Sequence, residues 1–371
     1  MSKKNEKKVV REKKERKARA QDAVRAVLDR EELLKTLKVS LDFIQKGALP
    51  VLQHIRFAAK GDVCRISATD LETAWTKEMP SRGGDIDRLI PADIFYKEIK
   101  ALGSDVGEVE LAFQDGSVSV NRRCEIFTAG PSDFPELPNV SGSEYKVDGL
   151  PALCSRVVVA ASTDQSRYNI NSVYFDLKRG KVVATDGHRL HYEAVEKAEP
   201  SFSLSREAVA LMVKHSCVDE FTLGKDALAV GLGGGVMLTK LKGQDYPDYE
   251  KVLVNENPVK VAFRAGDLLK VLEGAMPMVD ASSSAKGVNL AINGRLVIRS
   301  QSPGLGNYKW HISCTAEGKK EKELVIGVNA KYLVDAVKSF ASDNVVLEVK
   351  DPMSPFLVNK KALIMPMRVV Q

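Results

Sequence analysis

The residues best suited to chemistry lie in the segment VVATDGHRLH, residues 182–191. Asp186 and His188 are two apart there, and a carboxylate beside an imidazole can act as a general acid and base. His188 and His191 could hold a metal only with further ligands, and no carboxylate or cysteine set of that kind stands near them. No G-x-x-x-x-G-K-[ST], G-x-S-x-G or H-E-x-x-H motif accompanies the pair. The sequence therefore demands no active site and predicts neither a metal nor a cofactor.

The glycine-rich run at residues 231–235 superficially resembles a dinucleotide-binding loop. It lies inside an alternating hairpin pattern and opens no helix, whereas a dinucleotide loop joins a strand to a helix. We interpret it as a flexible turn.

The elements that must position these residues belong to a chain of 371 residues, of which 44% are apolar and 28% charged. That length suits two or three domains of a globular protein. No apolar run approaches the ~18 residues of a membrane span, and the N-terminus lacks the apolar stretch of a secretory signal. Five cysteines without a C-x-x-C pair favour a reducing cytoplasm over a disulfide framework or a zinc site.

Positive charge is concentrated at the N-terminus. Residues 1–20 carry a net charge of +7, whereas the whole chain carries +6. We predict residues 1–23 to be a basic disordered tail, because it has too few apolar residues to fold. The tail is either simply solvated or adds affinity for phosphates, and its three glutamates disfavour a transit peptide.

Beyond the tail, the sequence is repetitive. Alternate helical patterns begin 114–124 residues apart, which indicates three copies of a unit of about 116 residues. Alternating runs between them, such as VELAFQDGSVSV, predict antiparallel hairpins. The predicted fold class is α+β, with two helices packed on antiparallel sheets in each of three domains, 24–139, 140–257 and 258–371. The six helices are predicted to begin near Asp29, Pro91, Asp148, Ser205, Ala265 and Asn329.

Several of these helices carry lysines opposite their apolar side. In the second helix, for example, the wheel places Ile94, Phe95, Ile99 and Leu102 on the apolar side. A solvated face is the ordinary interpretation for one helix, but recurrence in a nearly neutral body favours a shared cationic surface that would contact phosphates without reading sequence. The lysines are Lys35, Lys38, Lys97, Lys100, Lys270, Lys331 and Lys338.

The segments VVATDGHRLH (182–191), GQDYPDYEKVL (243–253) and IMPMRV (364–369) resemble the bacterial sliding clamp family, the beta subunit of DNA polymerase III. LPVLQHI (49–55), ISATDLE (66–72), DFPELP (133–138) and STDQSRYNIN (162–171) do so too, and all occur in the family's order. The resemblance runs from about Val24 to Val369. It implies three clamp domains per subunit and a head-to-tail ring of two subunits around duplex DNA.

The resemblance also implies a function. The chain would be a non-enzymatic processivity factor in the cytoplasm, at the nucleoid, that tethers the replicative polymerase, an ATP-driven clamp loader and other clamp-motif proteins. Their peptides would bind one pocket, formed by Ile170, Thr185, Gly187, His188, Arg189, Leu190, Pro247, Val252, Leu363, Met365, Pro366, Met367 and Arg368. Pro366, which lacks an N–H, would suit a final edge strand.

Two further surfaces follow from the resemblance. Arg167 and Tyr168 match a loop that reaches the DNA in the family. The subunit interface would involve Arg122, Arg123 and Ile126 on one side. On the other, GLGNYKWHIS (304–313) has no acidic cluster, so Tyr308 and Trp310 would supply apolar contact.

Two alternatives remain open. A diverged plasmid- or phage-type clamp paralogue would keep the pocket but alter its oligomeric state, which the mass in solution would reveal. An enzyme acting on nucleotides or phosphoesters through Asp186 and His188 would lose turnover in an Asp186→Ala variant.

Overall fold

The computed structural model describes residues 23–45, 47, 49–114, 116–243, 245–253, 257–279, 287–293, 295–302, 306–318, 324–340 and 343–368. The predicted basic tail, apart from Ala23, lies outside the described residues.

All six predicted helices are present. Three of them have the N-cap that the sequence predicts: Asp29 Oδ1 accepts the Glu32 N–H at 2.7 Å, Ser205 Oγ accepts the Ala208 N–H, and the Asn329 side chain accepts a first-turn N–H. No helix in the described ranges is long and apolar enough to cross a membrane. The helices are α1 (Arg30–Ser40), α2 (Ala92–Ala101), α3 (Leu150–Val158), α4 (Arg206–Lys214), α5 (Ala265–Ala275) and α6 (Ala330–Phe340).

The strands form four sheets, and every described pairing is antiparallel. This confirms the α+β fold class. The strands are β1 (Val24–Asp29), β2 (His54–Lys60), β3 (Val63–Thr69), β4 (Thr73–Pro80), β5 (Arg82–Gly83), β6 (Ile86–Pro91), β7 (Glu108–Gln114), β8 (Ser117–Val120), β9 (Cys124–Phe127), β10 (Gly142–Lys146), β11 (Ser172–Asp176), β12 (Lys181–Thr185), β13 (Arg189–Ala194), β14 (Phe202–Ser205), β15 (Glu220–Gly224), β16 (Ala227–Leu232), β17 (Gly235–Lys240), β18 (Val259–Arg264), β19 (Gly287–Ile292), β20 (Arg295–Ser302), β21 (Gly306–Ser313), β22 (Thr315–Glu317), β23 (Leu324–Asn329), β24 (Asn344–Val349), β25 (Phe356–Val358) and β26 (Ala362–Ile364).

The chain divides into two compact units, Met1–Lys146 with Lys214–Lys240, and Val147–Val213 with Leu241–Gln371. The middle predicted domain contributes residues to both units, and the boundaries of the three predicted domains stay a prediction.

The first unit contains two sheets, ordered β5-β1-β7-β8-β9 and β10-β15-β16-β17-β4-β3-β2-β6. Trp75 on β4 has no exposed surface, and its indole N–H donates to the Leu232 carbonyl at 3.1 Å. The glycine-rich run at residues 231–235 contains the turn between β16 and β17, as the sequence predicted. Ile94 was predicted to lie on the apolar, buried side of α2, and this prediction is wrong. It is 54% exposed, because α2 buries only the narrower stripe of Ala92, Phe95 and Ile99.

The second unit contains a nine-stranded sheet, β14-β11-β12-β13-β26-β25-β24-β18-β22, and a four-stranded sheet, β21-β20-β19-β23. Its main core packs α5 and α6 against strands of both sheets, with Leu268, Leu290, Leu333 and Ile364 fully buried. Because side chains alternate along a strand, the nine-stranded sheet also presents a second face, and that face carries the candidate site.

The Thr-Asp turn recurs in both units with the same hydrogen bonds. After β3, Asp70 Oδ1 accepts the N–H groups of the second and third following residues, Glu72 and Thr73. After β12, Asp186 Oδ1 accepts those of His188 and Arg189. The segments ISATDLETAW and VVATDGHRLH therefore form their turns in the same way.

Candidate functional site

The turn between β12 and β13, residues 185–189 and here named the pocket turn, is built from the TDGHR sequence. Thr185 Oγ1 donates to the Arg189 carbonyl at 2.6 Å and accepts the Gly187 N–H at 3.1 Å. Gly187 has φ +88°, a left-handed conformation that glycine adopts without a steric cost. The Asp186 carboxylate accepts the backbone N–H of His188 rather than acting on its ring. The acid–base pair drawn from the sequence is therefore a turn-forming contact.

Arg189 holds the pocket turn to the helices behind it. Its side chain is buried and donates to Asp186 at 3.0 Å, to Asp335 at 2.6 Å and to the Val159 carbonyl. Its guanidinium also lies 4.5 Å from the centroid of the Tyr332 ring. With 6% of its surface exposed, Arg189 positions the turn rather than forming the open wall of a pocket.

The C-terminal segment, residues 365–368, is held at both ends. The Met365 N–H donates to the His188 carbonyl at 2.9 Å, and the Met367 N–H donates to the Gly327 carbonyl at 2.8 Å. β26 ends at Ile364 and lies between β13 and β25, inside the sheet. The expectation of a final edge strand is therefore wrong. Pro366 is accommodated because it follows the end of the strand, where no ladder N–H is required.

The pocket turn and the C-terminal segment meet beside a small apolar cluster that is separate from the main core. Leu190 on β13 and Leu363 on β26 are directly paired, and each is 2% exposed. Tyr246 stacks on Tyr174 with their ring centroids 5.0 Å apart. We name this cluster the floor. Its buried members are Val183, Leu190, Tyr249, Leu357 and Leu363, and its partly buried members are Tyr174, Tyr192, Tyr246 and Leu253.

The YPDYEKV sequence is fastened over the same face of the sheet. The Tyr249 hydroxyl donates to Asp176 at 2.8 Å, and Lys181 Nζ lies 2.7 Å from Glu250. Burial acts to raise the pKa of Asp176, but hydrogen bonds from Tyr249 and Arg179 outweigh it and hold that pKa below its ordinary value. These contacts fix the segment while leaving Val252 47% exposed.

Every residue predicted to form the pocket lies in the second unit. Of the nine floor residues, sequence reasoning named Leu190 and Leu363 and missed the other seven, although Val183 and Tyr174 stand in alternating runs. Among the predicted residues, Ile170, Arg189, Leu190 and Leu363 are buried, Thr185, Pro366 and Met367 are half-buried, and Gly187, His188, Pro247, Val252, Met365 and Arg368 are exposed.

The loop at residues 163–169 is exposed and lies next to the pocket turn. Arg167 Nη1 donates to the Asp186 carbonyl at 2.9 Å. Tyr168 is 60% exposed. The loop therefore presents both predicted DNA-facing residues on the surface while one of them contacts the pocket turn.

All seven helix lysines predicted to face DNA are exposed. Three of them lie near carboxylates: Lys35 beside Glu31, Lys97 beside Asp93, and Lys338 at 3.5 Å from Glu273. Exposed pairs of this kind are weak, so they do not prevent these lysines from meeting phosphates.

The predicted subunit interface falls on the edge strands β9 and β21. On β9, Ile126 is buried within its own sheet, whereas Phe127, which sequence reasoning missed, is 84% exposed. Arg122 and Arg123, just before β9, lie 3.5 Å from Glu110 and 3.6 Å from Glu98. On β21, Tyr308 packs against the core at Gly274 and Trp310 is 56% exposed. Each edge therefore offers one exposed aromatic ring.

Comparisons with known proteins find similarity to beta sliding clamps and to DNA polymerase III beta subunits. Residues 251–368 match the family model of the DNA polymerase III beta subunit, C-terminal domain. A beta sliding clamp of Chlamydia pneumoniae is 26% identical, covering 92% of this chain and 98% of its own. One from Caulobacter vibrioides (strain NA1000 / CB15N) is 25% identical, covering 93% and 100%. The DNA polymerase III beta subunit structure from Thermotoga maritima has a TM-score of 0.81 at 23% identity, covering 94% and 100%. That from Pseudomonas aeruginosa has a TM-score of 0.84 at 22% identity, covering 93% and 100%.

Proposed function

We propose that this chain belongs to the DNA polymerase III beta subunit family and is a DNA sliding clamp: a processivity factor that encircles duplex DNA and tethers the replicative polymerase. The observation that carries the proposal is the meeting of the pocket turn and the C-terminal segment beside the floor, an apolar cluster separate from the main core. The chain would act without catalysis, in the cytoplasm, and would be placed on DNA by an ATP-driven loader.

The proposed pocket takes an extended peptide with apolar side chains. Alternate side chains of an extended peptide point the same way, so two apolar side chains separated by one residue, such as the leucines of a Leu-x-Leu peptide, would reach toward the floor together. Met365, 39% exposed, offers the flexible, polarizable surface that accommodates varied partners. The His188 and Gly327 carbonyls hold the segment that carries Met365, so the surface is in place before a partner arrives.

Fluorescence polarisation with a labelled peptide Gln-Leu-Ser-Leu-Phe tests the pocket. We expect saturable binding that falls at least ten-fold in Met365→Asp, because a carboxylate would be desolvated against leucine side chains. Met353→Asp is the matched control, since Met353 is exposed and lies outside the proposed pocket. Equal binding by both variants and the parent would rule out this pocket.

The exposed helix lysines would contact phosphates without base contacts. Affinity for duplex should therefore be independent of sequence and should fall linearly with the logarithm of salt concentration. Paired substitution of Lys100 and Lys331 by alanine should reduce that slope. A preference for one duplex sequence would contradict this part of the proposal.

The ring would close by pairing β9 of one subunit with β21 of the other, so that the exposed rings of Phe127 and Trp310 are covered. Edge strands expose unpaired backbone groups, and strand addition across two chains satisfies them. Phe127→Lys should weaken self-association without unfolding the chain, because the Phe127 ring packs little within its own subunit.

A further inference from the structure

Arg167 lies where the proposed DNA-facing loop touches the pocket turn, and the inference below rests on the proposed function. The backbone on both sides of this residue is fixed. Asp164 Oδ1 accepts the Ser166 N–H at 2.9 Å, and the Arg167 carbonyl accepts the N–H groups of Ile170 and Asn171 at 3.0 and 2.9 Å. Ile170 is itself buried beside the loop. The backbone at this position is therefore fixed by hydrogen bonds, whereas the Arg167 side chain can still change its rotamer.

The Arg167 guanidinium lies directly over Gly187. Its Nη1 donates to the Asp186 carbonyl at 2.9 Å, and its Nη2 lies 2.8 Å from the position that a Cβ on Gly187 would occupy. In this state the guanidinium covers the surface of the pocket turn at Gly187.

The guanidinium is held there by a neutral acceptor. The Asp186 carboxylate is already engaged by two backbone N–H groups and by Arg189. Hydrogen bonds from Ser166 and, after them, the nearby Arg167 charge lower the pKa of Asp164 on the same loop, but among the described residues no carboxylate hydrogen-bonds to the Arg167 guanidinium. A hydrogen bond between charged groups is roughly twice as strong as a neutral one, and phosphate accepts arginine in a bidentate manner. A DNA phosphate therefore competes effectively for this side chain.

We propose that Arg167 is a positioning residue that couples the two ligands of the clamp: when a DNA phosphate draws its guanidinium away, the pocket turn is uncovered and the pocket binds peptide more tightly. Breaking one hydrogen bond between the charged guanidinium and a neutral carbonyl, at an exposed site where water competes for both groups, corresponds to about a five-fold change in affinity. Because coupling between two binding sites is reciprocal, peptide must tighten duplex binding by the same factor.

The test measures the Kd of the labelled Gln-Leu-Ser-Leu-Phe peptide by polarisation. The full chain is used without DNA and with a duplex of about 30 base pairs at roughly ten times its own Kd in the same buffer. In the parent protein we expect the duplex to tighten peptide binding about five-fold. Arg167→Ala removes the cover and should bind tightly with or without duplex. Arg167→Gln keeps a neutral donor but offers no charge to phosphate. With or without duplex, it should therefore bind the peptide as weakly as the parent protein does without duplex.

Lys270→Ala is the matched control, because it removes an exposed charge on α5 that does not contact the pocket turn. It should weaken duplex binding and keep the five-fold coupling once the duplex is saturating. If the parent binds peptide equally with and without duplex, or if Arg167→Ala retains the coupling, the inference is wrong while the clamp function stands. If the parent binds no peptide in either condition, the proposed pocket itself fails, and the inference fails with it.

Discussion

Acidification should destabilise the second unit through His191, whose side chain has no exposed surface. Its Nδ1 lies 2.9 Å from the Arg156 carbonyl, which can only accept, so Nδ1 carries the proton of the neutral ring. Its Nε2 has no partner among the described residues. A second proton there would be a buried, unpaired donor, and burial, assisted by the Arg189 charge, lowers the pKa of His191 from 6.5 to about 4. The hydrogen bond to the Arg156 carbonyl and, more weakly, the charges of Asp335 and Asp186 act to raise the pKa of His191 and offset this lowering only in part.

The size of the effect follows from the two pKa values. The unfolded chain binds this proton near pH 6.5 and the folded chain near pH 4, so between these values the unfolded state holds more protons and stability rises with pH. Stability is complete above about pH 6.5 and is lost as the pH falls toward 4. The loss amounts to ~2 kcal/mol at pH 5 and ~3 kcal/mol below pH 4.

Two measurements check this prediction. NMR of the chain with ¹³C-labelled histidine should show one imidazole that stays neutral until about pH 4. Urea unfolding gives the free energy of unfolding at about pH 8 and at about pH 5. Its fall between these two pH values should be ~2 kcal/mol smaller in His191→Gln than in the parent, because glutamine keeps a neutral N–H donor for the Arg156 carbonyl but takes up no proton. An ordinary midpoint near 6.5 for His191, or the same acid loss in His191→Gln, would refute the reasoning.

Three other changes should have measurable effects. Gly187→Ala should cost ~1–2 kcal/mol of stability in urea unfolding, since its φ is +88° and its Cβ meets Arg167; an unchanged free energy of unfolding would contradict this. Glu193→Gln should lower stability by ~1–2 kcal/mol in calorimetry, because this buried carboxylate joins Arg156 to Lys361, whose charged ends remain partly open to water, and an unchanged stability would show that these two ion pairs matter little. Asp29→Ala should cost ~1 kcal/mol through loss of the α1 cap, with Asp29→Asn, which can still cap the helix, as the control.

The helices and local turns could be predicted because the signals that define them are local. The apolar period of 3.6 residues with capping at Asp29, Ser205 and Asn329 was sufficient for three of the helices. The Asx-type turn at Asp186 likewise depends on residues within three positions of it.

The floor could not be predicted in full, because it depends on strand pairing across great sequence distance. Leu190 meets Leu363 only because β13 pairs with β26, and no local pattern encodes that partner. Burial of Arg189 was missed for the same reason, since its partner Asp335 lies on α6. The alternating pattern could have predicted that Val183 is buried on one face of a sheet. It could not predict which face of that sheet would lie outside the main core.

Mass in solution by light scattering, at several micromolar chain and at two salt concentrations, tests the central claim most directly. A ring of two subunits predicts twice the chain mass of 40.6 kDa at both salt concentrations, because the proposed β9–β21 contact relies on backbone pairing and aromatic rings rather than on charge. A stable monomer of 40.6 kDa would contradict a self-closing ring. It would favour instead a clamp paralogue that keeps the pocket and has lost its dimer contact.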